Sequence, residues 1–148
     1  AIFVNTTQPR KLLEDHEFVW CNAWLAFSET SVYPEQACEM REGRVLDVAV
    51  DIRKGSPTYG KHVAVELTED NHRQFFIPKG FAHGFAVLSE TAVFNKIDNF
   101  YHPEADGSIS ILDDSLGIDW RIPTEHANLS EKDTKHQVLK DFESPFEY

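Results

Sequence analysis

The side chain in this sequence best suited to moving a proton is a histidine set in an apolar strand, beside a turn that presents it. The histidine is His83, in Ile77-Pro78-Lys79-Gly80-Phe81-Ala82-His83-Gly84-Phe85. Pro78 has no N–H to offer a central ladder and stops the run Phe75-Phe76-Ile77. Gly80 takes positive φ without a Cβ penalty and supplies a turn. The chain then resumes as a second strand, Phe81 to Leu88, with His83 near its start. A histidine just past such a corner is either a hydrogen-bonded packing residue or part of a cavity wall able to do acid–base chemistry.

Strands must position this group. Arg44–Ile52 alternates cleanly, with Val45, Asp47, Ala49 and Asp51 on one face and Leu46, Val48, Val50 and Ile52 on the other. Asp47 and Asp51 sit among apolar neighbours and face either solvent or a polar cavity. Ala1–Val4, Phe18–Phe27, His62–Leu67, Arg73–Ile77, Ala92–Asn99 and Ile109–Leu112 read as further strands. The mixed charge around Gly43 predicts a hairpin turn over Glu39–Arg44, and Arg53 to Gly60 a turn-rich loop. Ser130 with Asp133 three residues on resembles a helix start, and Lys132–Leu139 is expected to form a short helix. About eight to ten short strands separated by Gly/Pro turns imply an all-β sandwich or barrel of jelly-roll type with a short C-terminal helical segment.

The 148 residues predict a single domain, 1–148, able to bury roughly two-thirds of its unfolded surface. A formal charge of −11 argues against nucleic acid as a partner, because a phosphate backbone needs a basic footprint. An anionic ligand would need a local cluster of Lys and Arg. Cys21 and Cys38 have no metal-site spacing and are too few for a disulfide scaffold, so free thiols in a reducing compartment are expected. No apolar run approaches the ~20 residues of a membrane span, and no signal peptide opens the sequence. The expectation is a cytoplasmic protein with no membrane partner. No His-x-His occurs, and His72 with His83 would supply two ligands where a catalytic zinc site keeps three. No metal is expected.

The segment Pro78-x-Gly80-x-x-His83 resembles the second sequence motif of the cupin superfamily, a double-stranded β-helix (jelly roll) around a small-molecule cavity. The run from Gly43 through Arg53-Lys54-Gly55-Ser56-Pro57 to Gly60, the corner at Pro78–Phe85, and Asp98 to Gly107 resemble the dTDP-4-dehydrorhamnose 3,5-epimerase family. Leu116-Gly117-Ile118-Asp119-Trp120 and Leu129 to Asp133 resemble it as well, so the likeness extends from Gly43 to Tyr148.

The resemblance implies proton removal and return at the two carbons flanking a C4 ketone on a dTDP-linked 6-deoxy sugar, in deoxysugar biosynthesis of the dTDP-rhamnose type. That reaction uses a base on one face, an acid on the other and a cation near the ketone oxygen. Counting back from Gly43 without gaps, Ala26 falls where the family carries its base histidine, Ala23 at the motif arginine and Gln36 at the lysine. Asn95 stands where the family's acid tyrosine is expected. Asp133 matches the carboxylate that orients the base, or is a plain first-turn carboxylate stabilised by the helix dipole. His83 remains as a cavity histidine, and His16 is a further candidate to replace the base. Tyr101 matches an aromatic near the sugar-nucleotide site, and Arg53 and Arg73 are candidates for diphosphate contact.

Two functions follow. One is a dTDP-4-dehydro-6-deoxy-sugar 3,5-epimerase, an isomerase needing no cofactor, with His83 and Asp133 as catalytic candidates and Arg53, Arg73 and Tyr101 binding substrate. The other is a catalytically silent cupin that binds a sugar nucleotide or a partner, because His, Tyr and Lys are missing from the three chemical positions. By resemblance the protein is a homodimer that exchanges an N-terminal strand.

Overall fold

The computed structural model describes residues 25–28, 36–95, 106–123, 127, 129 and 133–148. Among the described residues there are six strands: β1 (Leu25–Ser28), β2 (Gln36–Asp51), β3 (His62–Thr68), β4 (Gln74–Ile77), β5 (Phe81–Asn95) and β6 (Asp106–Ile109). They pair antiparallel in the order β3-β2-β5-β1-β6, and β4 joins β2 ahead of β3. The protein has the jelly-roll architecture of the cupins.

β2 is the spine, with β4 and then β3 on one edge and β5 along the other. The hairpin expected over Glu39–Arg44 is not there: β2 runs unbroken for 16 residues. Its register against β5 slips twice, between Met40 and Glu42 and between Gly43 and Val45. Gly43 has φ +84°, so the glycine read as a turn serves a bulge that bends a continuous strand.

From Val45 to Asp51 both faces of β2 are buried, so the alternation there divides two buried sets and Asp47 and Asp51 are buried with their aliphatic neighbours. Leu46, Val48, Val50 and Ile52 pack with Ala82, Ala86, Ile109, Ile111, Leu116 and Phe146. On the opposite face Val45 and Ala49 pack with Met40, Leu67, Ile77, Phe85 and Val87. Burying one such aliphatic side chain contributes about 1.5–3 kcal/mol, so these two layers dominate the stability.

The Pro78–Gly80 corner forms as expected, with Gly80 at φ +85° and its carbonyl accepting from Ile52 N–H at 3.1 Å. A Cβ on Gly80 would lie 2.5 Å from Arg53 Cγ, so glycine is required here for space as well as for φ. The tail forms two 3₁₀ turns, Asp133–Lys135 and Leu139–Asp141, in place of the single helix expected over Lys132–Leu139. Val138, between them, is extended at φ −74° and ψ 158°, which breaks any helical run. Ser130, the expected N-cap, lies outside the described residues.

Candidate functional site

The site is built on three adjacent strands. His83 of β5 stands opposite Ala49 of β2 and opposite Ala26 of β1. Directly opposed residues in antiparallel strands share a face. His83 therefore projects from the same face of β5 as Phe85, which lies opposite Asp47. The diagonal relation between His83 and Asp47 brings their side chains together, with His83 Nε2 2.5 Å from Asp47 Oδ1. Both side chains are buried, at 8% and 0% exposure. An ionised carboxylate only accepts, so Nε2 carries the donated hydrogen and the imidazole is fixed in one orientation. Oδ2 of Asp47 is buried and has no hydrogen-bond partner among the described residues.

A second carboxylate organises the corner beside this pair. Oδ1 of Asp51 accepts from the Arg53 backbone N–H and from Arg53 Nε, at 3.0 and 2.9 Å. Its Oδ2 accepts from Arg53 Nη2 at 2.7 Å and from the hydroxyls of Ser56 and Thr58, each at 2.6 Å. Burial pushes the Asp51 carboxyl up, but the hydrogen bonds from Arg53, Ser56 and Thr58 outweigh it and hold the group well below the usual carboxylate range. The Arg53 guanidinium also lies 4.8 Å from the Phe81 ring centroid and 4.9 Å from that of Tyr148. The tail closes over this loop: Lys54 N–H donates to Phe146 O, and Tyr148 N–H to Lys54 O.

Asp113 ties the tail to the end of β6. Its Oδ1 accepts from Ser115 and its Oδ2 from Leu139 N–H at 2.7 Å. Burial raises its pKa, and these hydrogen bonds more than offset the rise, leaving the carboxyl below its ordinary value. Ser110 N–H donates to Gln137 O at 2.8 Å, which lays the tail beside the sheet.

Of the residues singled out in the sequence, the structure brings Ala26 beside His83 in register. Asn95 ends β5 opposite Glu39 and is separated from His83 by most of that strand. Gln36 opens β2 opposite Ile77. Asp133 begins the first 3₁₀ turn of the tail. Arg53 is engaged by Asp51, while Arg73 lies in the exposed turn between β3 and β4 with its backbone N–H donating to Asn71. His72, in that same turn, has φ +47°. Tyr101 and His16 lie outside the described residues. Among the described residues no group of three His, Cys, Asp or Glu side chains is placed to hold a metal ion, and no helix is long and apolar enough to cross a membrane.

Asp47 is the buried side chain beside His83 that residue-by-residue reading leaves unassigned. Its signal was present: an aspartate in an aliphatic alternation is buried only where a partner awaits it. Ser56 and Thr58 gave no such signal, because hydroxyl residues in a Gly/Pro loop ordinarily mean a turn.

The model of the dTDP-4-dehydrorhamnose 3,5-epimerase family matches residues 26–141. The enzyme of that name from Salmonella typhimurium is 50% identical over 98 residues, covering 66% of this chain and 53% of the relative. The Escherichia coli K12 enzyme is 46% identical over 112 residues, covering 75% of this chain and 60% of the relative. The chain thus spans little more than half the length of these two relatives. The crystal structure of the Elizabethkingia anophelis epimerase superposes with a TM-score of 0.75 at 48% identity, over 80% of this chain and 65% of that one. The Legionella pneumophila epimerase, solved in complex with dTDP-4-keto-L-rhamnose, gives 0.74 at 45% identity, over 81% and 63%. With the match running through strands, loops and the His83 corner alike, this chain belongs to the dTDP-4-dehydrorhamnose 3,5-epimerase family.

Proposed function

We propose that this protein acts on a dTDP-linked 4-keto-6-deoxy sugar, as a 3,5-epimerase of deoxysugar biosynthesis, with the His83–Asp47 pair as part of its proton-transfer machinery. The observation that carries this reading is the buried 2.5 Å contact between His83 and Asp47 on one face of the jelly roll. A hydrogen next to a ketone is acidic enough for imidazole to exchange, provided the ring is held and the site is dry. Asp47 supplies the holding. Its second oxygen, buried without a partner among the described residues, fits a substrate hydroxyl, because an unmet buried acceptor costs about 1–3 kcal/mol until something donates to it.

The relatives' names support the substrate class, and the Legionella enzyme was solved in complex with dTDP-4-keto-L-rhamnose. Asp133 belongs to this reading as a catalytic carboxylate that orients the base, with Arg53, Arg73 and Tyr101 as contacts to the sugar nucleotide. A cytoplasmic homodimer completes it.

The test is incubation of dTDP-4-keto-6-deoxyglucose with the protein in D₂O, followed by NMR at C3 and C5. Deuterium entering at either carbon supports the epimerase. Saturable dTDP binding without exchange would instead favour a silent sugar-nucleotide binder, for which the alanine at position 26 speaks.

A further inference from the structure

The tail packs against the corner from which β5 starts. Phe146 is buried in one cluster with Ile52 and Ala82, and its carbonyl accepts from Lys54 N–H at 2.8 Å. Tyr148 N–H donates in turn to Lys54 O at 3.0 Å, so Lys54 and Glu147 pair in parallel. Ser144, also buried, accepts from Phe146 N–H through its hydroxyl at 3.2 Å and fixes the tail just ahead of this contact. The turn glycine lies against the same segment. A Cβ on Gly80 would stand 3.6 Å from Cβ of Phe146 and 2.5 Å from Cγ of Arg53.

From this corner to His83 the route is a chain of direct contacts. Ile52 N–H donates to Gly80 O at 3.1 Å, which joins the end of β2 to the turn. Phe81 follows in sequence and stands opposite Asp51. Its ring centroid is 4.8 Å from the Arg53 guanidinium, which Asp51 holds through Nε and Nη2. The Tyr148 ring lies 4.9 Å from the same guanidinium, so the tail is tied to Phe81 through Arg53 as well. His83 is two residues further along β5, opposite Ala49. Its contact with Asp47 is short and buried, and a hydrogen bond weakens steeply as its length and angle depart from the optimum. A small shift in where β5 begins is therefore felt at that contact.

We infer that Phe146 is a positioning residue for the His83–Asp47 pair, acting through the Gly80 corner, with Arg53, shared by Asp51, Phe81 and Tyr148, completing the link. The catalytic consequence rests on the epimerase reading above, whereas the geometric one rests on these contacts alone. The tail seats the corner, the corner sets the start of β5, and β5 carries the imidazole to the carboxylate.

The experiment compares the wild-type chain with Phe146→Leu, Phe146→Ala and Leu116→Ala. Leu116 is buried in the same cluster but belongs to the 3₁₀ turn Asp114–Leu116, so its truncation loosens the core without touching the tail's hold on the corner. The Nε2–H proton and ring ¹⁵N signals of His83 are recorded without ligand, and deuterium entry at C3 and C5 of dTDP-4-keto-6-deoxyglucose is then measured alongside dTDP affinity. The His83 signals are expected to move in Phe146→Ala, to move less in Phe146→Leu, and to stay in place in Leu116→Ala. Exchange is expected to fall about 10–100-fold in Phe146→Ala at unchanged dTDP affinity, with Phe146→Leu recovering most of the rate. His83 signals unmoved in both Phe146 variants, or moved as far by Leu116→Ala, would overturn the assignment. Phe146→Leu keeps a large apolar side chain in place and decides the matter if Phe146→Ala does not fold. Absence of exchange in the wild type would overturn the epimerase reading alone, since the ring signals judge the positioning without substrate.

Discussion

His83 and Asp47 sit on neighbouring strands, two residues off the direct pair, and meet with Nε2 2.5 Å from Oδ1 in a buried contact. The pair exists because β2 and β5 are held in one register, and the corner at Pro78–Gly80 starts β5 at the position that sets it.

Removing the charge of Asp47 while keeping its shape tests whether it positions the histidine. Asp47→Asn is expected to slow proton exchange into the sugar nucleotide by about 10–100-fold and to alter its pH profile, with dTDP affinity nearly unchanged. A variant with the wild-type rate and profile would show that the carboxylate is only a packing partner.

The corner makes its own prediction. Gly80→Ala must accept φ +85° and displace the Arg53 side chain, whose Cγ would lie 2.5 Å from the new Cβ. The expected loss is about 1–3 kcal/mol, read as a lower urea midpoint with unchanged slope. A midpoint equal to the wild type would mean that Arg53 is free to move aside.

Acid should expose the carboxylate clusters. Asp51 and Asp113 both have folded pKa values below the ordinary 3.8. A depressed carboxylate contributes stability that is present in full above the unfolded pKa and is lost as pH falls through the folded one. Thermal midpoints should therefore be flat from neutral pH to about 5 and fall increasingly below about 4. Asp51→Asn should lower the midpoint at neutral pH and flatten its acid dependence. An equally steep acid decline in that variant would assign the effect to other groups.

Much of this arrangement was legible in the residues. The Pro78-x-Gly80-x-x-His83 corner is written in the two residue types that stop a strand and allow positive φ, and it forms as read. The alternation in Arg44–Ile52 gave both faces of β2, though not that both would be buried. That depends on residues distant in sequence packing on each face, Leu116 and Phe146 on one and Leu67 and Ile77 on the other. Gly43 was misread because bulges and turns draw on the same conformational freedom, and pairing with β5 decides between them. The contact of Ser108 with His136, whose Nδ1 lies 2.8 Å from the hydroxyl, has no local signal at all. It arises only when the tail docks along β6, through backbone bonds that any sequence can make.

The most direct measurement is the rate of solvent deuterium entry at C3 and C5 of dTDP-4-keto-6-deoxyglucose, compared between the wild type and His83→Gln, with dTDP affinity measured on the same samples. The predicted result is measurable exchange in the wild type and a fall of about 100-fold or more in the variant, at matching affinity. Equal rates in the two proteins, or no exchange in either despite saturable binding, would contradict proton transfer at the His83–Asp47 pair.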